Sequence, residues 1–256
     1  DRRREATSYN NLGLAYYSLG QSEEAIKFYQ QSLKIKREIR DRRGEANSYI
    51  GLGNAYHSLG QSEEAIKFYQ QSLEIKREIG DRQGEANSYN NLGSVYNSLG
   101  QSEEAIKFYQ QSLEIKREIG DRQGEANSYN NLGSVYNSLG QSEDAIDFHQ
   151  QSLAIATAIS DRRGEANSYI GLGSAYHSLG QSEDAIALHQ QSLAIATAIG
   201  DRRGEANSYI GLGSAYHSLG QSEDAIALHQ QSLAIATAIG DRRGEANSYI
   251  GLGSAY

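Results

Sequence analysis

Asparagine recurs through this chain at one spacing: Asn47, Asn87, Asn127, Asn167, Asn207 and Asn247 lie 40 residues apart. A second series, Asn11, Asn91 and Asn131, occupies a position where Gly51, Gly171 and Gly211 stand in other blocks. A carboxamide carries both a donor and an acceptor. A ladder of them can therefore pair with the main chain of an extended ligand while reading little of its sequence. The competing role is solvation, or amide-to-amide bonding along the row. Both roles are open, and binding is favoured around Asn87, Asn91, Asn127 and Asn131, where the two series coincide. Arginine pairs (Arg42-Arg43, Arg162-Arg163, Arg202-Arg203) recur in the same register. They could receive the carboxylates of an acidic peptide, although an ion pair with an Asp or Glu at a neighbouring turn is the stronger expectation. Gln83 and Gln123 interrupt that row.

Six histidines invite a metal reading. His57, His177 and His217 share one position of the repeat, and His149, His189 and His229 share another, where Tyr29, Tyr69 and Tyr109 stand earlier. Packed helices lie 8–10 Å or more apart, whereas zinc needs its imidazoles at about 2 Å. Histidine replacing tyrosine reads as a packing residue with a polar tip, so no metal and no cofactor are expected. Catalysis finds no footing either. Carboxylate pairs such as Glu63-Glu64 and Glu183-Asp184 open helices, where the dipole explains them. No nucleophile motif or phosphate-cradling loop is present, and an enzyme is not expected.

The elements that position these residues come from the period. Asp161–Gly200 recurs letter for letter as Asp201–Gly240, and its first sixteen residues return as Asp241–Tyr256. The chain is six units (1–40, 41–80, 81–120, 121–160, 161–200, 201–240) plus a partial seventh, 241–256. Such self-similarity marks a stacked-repeat architecture. Within one unit, Asp161 can cap a helix. Ala166, Tyr169, Leu172, Gly173 and Tyr176 then fall on one face at three- and four-residue steps. Leu179-Gly180 ends it, and Gln181-Ser182-Glu183-Asp184 opens a second helix. The apolar face of that helix reads Ala185, Ile186, His189, Ser192, Leu193, Ile195 and Ile199. Each helix spans about 17 residues, and the short turn makes the pair antiparallel. Gly13 and its equivalents mark a close helix approach, with the Ala25 series expected opposite and the Tyr16 series filling wider gaps.

The units differ in charge. The second helices of the first three carry Lys27, Lys34, Lys36, Lys67, Lys76, Lys107 and Lys116. From Asp147 onward the outer positions become Ala194, Ala196, Thr197 and Ala198 and their equivalents, a face that could support side-by-side association. A composition boundary near Asp144 follows, without a break in the period. The net charge of −8 argues against nucleic acid, which draws a basic face. No apolar run approaches the ~20 residues of a membrane span. With no cysteine, disulfides are excluded. With no methionine, and a last unit cut short, a fragment or an engineered chain is expected, and a cytoplasmic location is the default.

Leu12, Gly13, Tyr16, Ala25 and Tyr29, with Tyr9 before them, resemble the tetratricopeptide repeat, and the pattern returns along the whole chain. Two departures stand out: the period is 40 rather than 34, and the chain contains no proline. Its longer helices joined by Gly-Asp-Arg resemble the 40-residue subclass of Pins/LGN-type adaptors, kinesin light chains and cyanobacterial repeat arms. The resemblance implies an all-α, right-handed superhelical solenoid of antiparallel helix pairs, with first helices lining a concave face that binds an extended peptide or partner segment. On that face it places Asn47, Asn54, Asn87, Asn91, Asn127, Asn131, Asn167 and Asn207, with Arg43, Arg163, Arg203, His57, His177 and His217. Two other roles stay open: a self-associating array stacking end to end, and a sensor arm of a larger signalling protein.

Overall fold

The computed structural model describes residues 1–255. Among them every regular element is a helix, thirteen in all and no strand. First helices are α1 (Arg2–Ser18), α3 (Arg42–Ser58), α5 (Arg82–Ser98), α7 (Arg122–Ser138), α9 (Arg162–Ser178), α11 (Arg202–Ser218) and α13 (Arg242–Ala255). Second helices are α2 (Ser22–Glu38), α4 (Ser62–Glu78), α6 (Ser102–Glu118), α8 (Ser142–Ala158), α10 (Ser182–Ala198) and α12 (Ser222–Ile239). The chain forms two compact bodies, each of three repeats or more: Asp1–Gly120, from here on the first unit, and the part from Asp121 onward, the second unit. Among the described residues, no helix is long and apolar enough to cross a membrane.

The punctuation follows from local chemistry. Each first helix from α3 to α11 is capped by an aspartate whose carboxylate accepts an amide of the first turn, as Asp161 Oδ1 does from Gly164 N at 3.0 Å, satisfying a donor that would otherwise be orphaned. Gln181 caps α10 with no side-chain bond. At the hairpin turn, Gly60 N reaches His57 O at 3.0 Å and Gln61 N reaches Tyr56 O at 2.9 Å. This paired closure needs a left-handed residue, and Gly60 takes φ +73°. Between units that role passes once each to Arg40 and Ser160, at φ 55° and 57°.

In the first unit, α2 packs between α1 and α3, and α4 between α3 and α5, while α6 packs on α5. In the second, α8, α10 and α12 each sit between two first helices, and α7, α9, α11 and α13 also touch in sequence. First helices thus form a continuous layer in that unit, with second helices behind it. What meets the repeated glycines is a ring rather than the expected alanine. A Cβ on Gly13 or Gly51 would fall within 3 Å of the Tyr29 ring. His189 is held in the same way between Gly173 and Gly211, and His149 between Gly133 and Gly171. Ala25 and its equivalents are fully buried. Tyr16 stacks on Phe28 at 5.0 Å and Tyr56 on Phe68 at 5.2 Å, bridging the hairpin as expected.

Behind the rings, buried serines tie second helices to the next first helix within each compact unit: Ser168 Oγ to Ser152 Oγ at 2.9 Å, and Ser208 Oγ to Ser192 Oγ at 2.9 Å. Two expectations about the second helix need correction. Ile199 lies at the helix end and is 39% exposed rather than packed. The positions of Lys36, Lys76 and Lys116 are not outer ones; all three side chains are buried. The aliphatic stem of Lys76 lies over Gly84 and its ammonium donates to Asn47 Oδ1 at 2.9 Å and Asp81 Oδ2 at 2.8 Å. Lysine commonly buries its stem this way when the charge finds partners. Ala156, Ala196 and Ala236 take that place later and are fully buried. The exposed alanine face therefore shrinks to positions such as Ala194 and Ala198.

The ring-against-glycine contact gives a pair of opposite outcomes. Gly171→Ala should cost about 1–3 kcal/mol, because the new methyl overlaps the His149 ring. Gly253→Ala, with open space around it, should be neutral or gain up to about 1 kcal/mol from helix propensity. Urea unfolding followed by circular dichroism measures both, and shifts of equal sign would refute the wedge.

Candidate functional surface

The structure separates the sequence-derived site residues into spent and unspent groups. In the first unit, Asn47 accepts from the buried Lys76 ammonium, and Asn54 Oδ1 accepts from Tyr69 Oη at 2.6 Å. Arg43 Nε lies 4.0 Å from Asp81 Oδ2. His57 and Asn91 are half-buried, and Asn87 is exposed. In the second unit, Arg163 Nε pairs with Asp201 Oδ2 and Arg203 Nε with Asp241 Oδ2, each at 3.0 Å. These guanidiniums hold the capping aspartate of the following helix. Gln123 does the same for Asp161 through its amide at 3.2 Å, so glutamine maintains the contact rather than breaking the row. Asn131 is half-buried, whereas Asn127, Asn167 and Asn207 are exposed. No hydrogen bond within the unit occupies the side-chain amides of these last three. The residue that would engage them, 29 positions on, is Ala156, Ala196 or Ala236 instead of lysine.

Two pockets open on the first-helix layer of the second unit. One, of about 340 Å³, is lined by Ile170, Ser174, His177, His189, Asn207 and Gly211 among others. The next repeat forms another, of about 320 Å³, with Ile210, Ser214, His217, His229, Asn247 and Gly251. His177 lines both, its Nε2 2.8 Å from Ser218 Oγ. Serine hydroxyls in these walls donate to the carbonyl four residues back, Ser174 to Ile170 O and Ser214 to Ile210 O, each at 3.0 Å. Their donors are used up, so their oxygens face the pockets as acceptors.

The floors are the buried histidines. Burial pushes the His149 and His189 imidazoles down to about 4 and lowers His229 as well. Desolvation disfavours the charged form, and for His189 and His229 the neighbouring His177 and His217 add to it. All three rings are neutral near pH 7. His149 Nδ1 lies 2.8 Å from Asn130 Oδ1. Ile170 and Ile210 stand where Asn130 does, and the Nδ1 atoms of His189 and His229 are buried without a partner. Sequence reasoning placed these histidines in the packing, correctly, and missed the pockets above them. The signal was present as three coincident reductions: Tyr69, Asn54 and Asn91 of the first unit correspond to His189, Ser174 and Gly211. Among the described residues no group of His, Cys, Asp and Glu could hold a metal ion.

The family model described as Tetratricopeptide repeat matches residues 4–78, 84–158, 124–198, 164–238 and 204–256. Among solved structures, BtubC (BKLC) from P. vanneervenii is 22% identical with a TM-score of 0.71, over 86% of this chain and 92% of that one. A putative kinesin light chain with nearly identical TPR-like repeats, from Podospora anserina, is 25% identical with a TM-score of 0.63, covering 77% of this chain and 98% of its own. A Rap protein complexed with Competence and Sporulation Factor is 16% identical with a TM-score of 0.72, covering 98% and 74%. No curated protein sequence matches the chain.

The neutral buried rings make stability depend on pH with a definite sign. Their folded pKa lies below the unfolded value near 6.5, so the unfolded chain takes up protons first as the solution acidifies. Stability is full above pH 6.5 and falls between 6.5 and 4, by about 3 kcal/mol for each of His149 and His189. Replacing His149, His189 and His229 by tyrosine, the residue native to that position in the first unit, should flatten the urea midpoint across this window. A slope identical to that of the unaltered chain would sink the assignment.

Proposed function

The chain belongs to the tetratricopeptide repeat family, and on that premise we propose that it is a protein-interaction module holding an extended partner segment on its first-helix layer. One observation carries the reading: Asn127, Asn167 and Asn207 present unspent amides in register on neighbouring helices. On a solvent-facing layer, such a row supplies donors and acceptors to a partner's main chain. No catalytic role is assigned to the chain itself.

The partner's charge follows from the same surface. The first 120 residues are balanced and the net −8 falls after them, but seven of those eight charges lie on the second helices α8, α10 and α12, behind the layer, while on the layer Arg163 and Arg203 are neutralised by Asp201 and Asp241. A neutral segment suits this surface better than the acidic one that the arginine row suggests in the sequence. In the first unit, Asn87 is the exposed counterpart, and Asn47 and Asn54 are engaged internally. Rap, whose fold is similar, is complexed with Competence and Sporulation Factor; it supports a ligand-holding role for the fold without naming the ligand here.

Random twelve-residue peptides displayed on phage and selected against the whole chain provide the test. Selected peptides should slow hydrogen exchange in α9 and α11. They should lose at least about tenfold in affinity, roughly 1.4 kcal/mol, when Asn127, Asn167 and Asn207 become alanine with helicity unchanged. Undiminished binding to that variant would exclude the amide row.

A further inference from the structure

We infer that the two pockets over His189 and His229 are side-chain sockets, each taking a tyrosine of the partner segment through its phenol. This rests on the reading of the first-helix layer as the interaction surface and specifies what that surface selects.

The first argument is one of shape. In the first unit, Tyr69 occupies the gap between first helices, and its hydroxyl donates to Asn54 at 2.6 Å. The second unit replaces this pair by His189 and Ser174, and the bordering Asn91 by Gly211. All three changes remove atoms from one spot, and a pocket of about 340 Å³ lies there. The chain itself therefore demonstrates that a phenol with a hydrogen-bonded hydroxyl belongs in this environment.

The second argument is polarity. Ile170 and Ile210 give the walls an apolar body suited to a ring. Ser174 and Ser214 offer oxygens whose own protons are committed to Ile170 O and Ile210 O. A neutral imidazole adds one donor and one acceptor. Such a lining wants an apolar group with a donor at its tip. No carboxylate lines either pocket, so a lysine ammonium would be desolvated without a counter-charge. A phenylalanine would leave the acceptors dry, and a phenol satisfies them.

The third argument is the orphaned nitrogen. Buried polar atoms are paired as a rule, and His149 obeys it through Asn130. His189 and His229, both only 1% exposed, do not. Both rings line the pockets; with Nδ1 itself closed to solvent, the loss of the asparagine partner marks the isoleucine wall as the feature kept in its place.

The pockets are one repeat apart. Packed helices are spaced at about 8–10 Å, and three residues of a polyproline-type segment span about 9 Å and return the side chain to the same face. Tyrosines three apart in such a segment therefore match both sockets. The probe is the capped hexapeptide Lys-Tyr-Lys-Lys-Tyr-Lys, titrated calorimetrically into the full chain with histidine Cε1–H resonances followed by NMR. Saturable binding is expected, with shifts of His189 and His229, and a loss of at least tenfold when both tyrosines are phenylalanine. A six-fold variant carries the first unit's own residues in both sockets (H189Y, S174N, G211N, H229Y, S214N, G251N). It should fold with unchanged helicity and lose binding at least tenfold.

Equal affinity of the phenylalanine peptide, retained affinity in the grafted variant, or no saturation by about 1 mM would each overturn the inference. Phage-selected peptides separate this failure from that of the broader reading. If they depend on Asn127, Asn167 and Asn207 but ignore the grafts, the sockets alone are wrong. If they depend on neither, the layer is not the binding surface.

Discussion

Every full repeat is organised around one contact, an aromatic ring of the second helix set against a glycine of its own first helix and, for Tyr29, His149, His189 and His229, against a second glycine on the next first helix. The glycine costs about 1 kcal/mol of helix propensity against alanine. That cost persists because a Cβ at Gly51 or Gly171 would overlap the ring. The ring sets how closely first helices approach and, being buried, couples the back of the hairpin to its solvent face. Changing Tyr to His at this position is therefore not a local event. It leaves the backbone spacing in place and withdraws atoms from the floor of the opposite surface.

A second coupling runs between positions 29 apart. Lys76 is buried because its ammonium finds Asn47 and Asp81, and Asp81 is held below its ordinary carboxylate range chiefly by that bond to Lys76. Lys36 has Asn10 at 3.1 Å and Ser48 at 3.0 Å, and burial lowers its pKa against the pull of Asp41. Breaking such a buried set by removing one partner strands the other charge. Replacing lysine by alanine throughout the later repeats avoids this: the methyl packs by Gly164 or Gly204, and Asn167 and Asn207 turn free to solvent. One substitution on the second helix both closes the core and releases an amide on the first.

Much of this was readable in one 40-residue unit. Aspartate before the helix, glycine after it and apolar steps of three and four located the helices, and the structure places Asp161 and Gly180 in those roles. The depth of Lys36 was also readable in principle, since Ala25, Tyr29, Ser32 and Lys36 follow one another at steps of four, three and four. Charge was weighed above position there, and the stripe was the better guide. The partners were not legible. That Asn54 meets Tyr69 depends on how far a phenol reaches across the hairpin, and that Asn47 meets Lys76 depends on how two helices cross. The pockets required comparing units rather than reading one. Each of Tyr69→His189, Asn54→Ser174 and Asn91→Gly211 looks conservative alone, and only their meeting at one point makes a cavity.

The unpaired imidazoles then bear on why the later repeats look as they do. Leaving a buried polar atom unsatisfied costs about 1–3 kcal/mol, and the fold already contains a remedy, the asparagine at position 130 that meets His149. At 170 and 210 isoleucine stands instead, so the same deficit recurs in two repeats of identical sequence. Isoleucine at that place does for the outer wall what asparagine cannot: it presents apolar surface to whatever enters. The two requirements, a satisfied ring and an apolar wall, compete for one residue. A core serving stability alone would keep Asn130 throughout, whereas a surface that receives an apolar ring gains from the isoleucine wall. Sequence identity between the two repeats sharpens the point, because it places the same trade at a fixed interval along a single face, where two weak contacts on one segment reinforce each other through effective concentration.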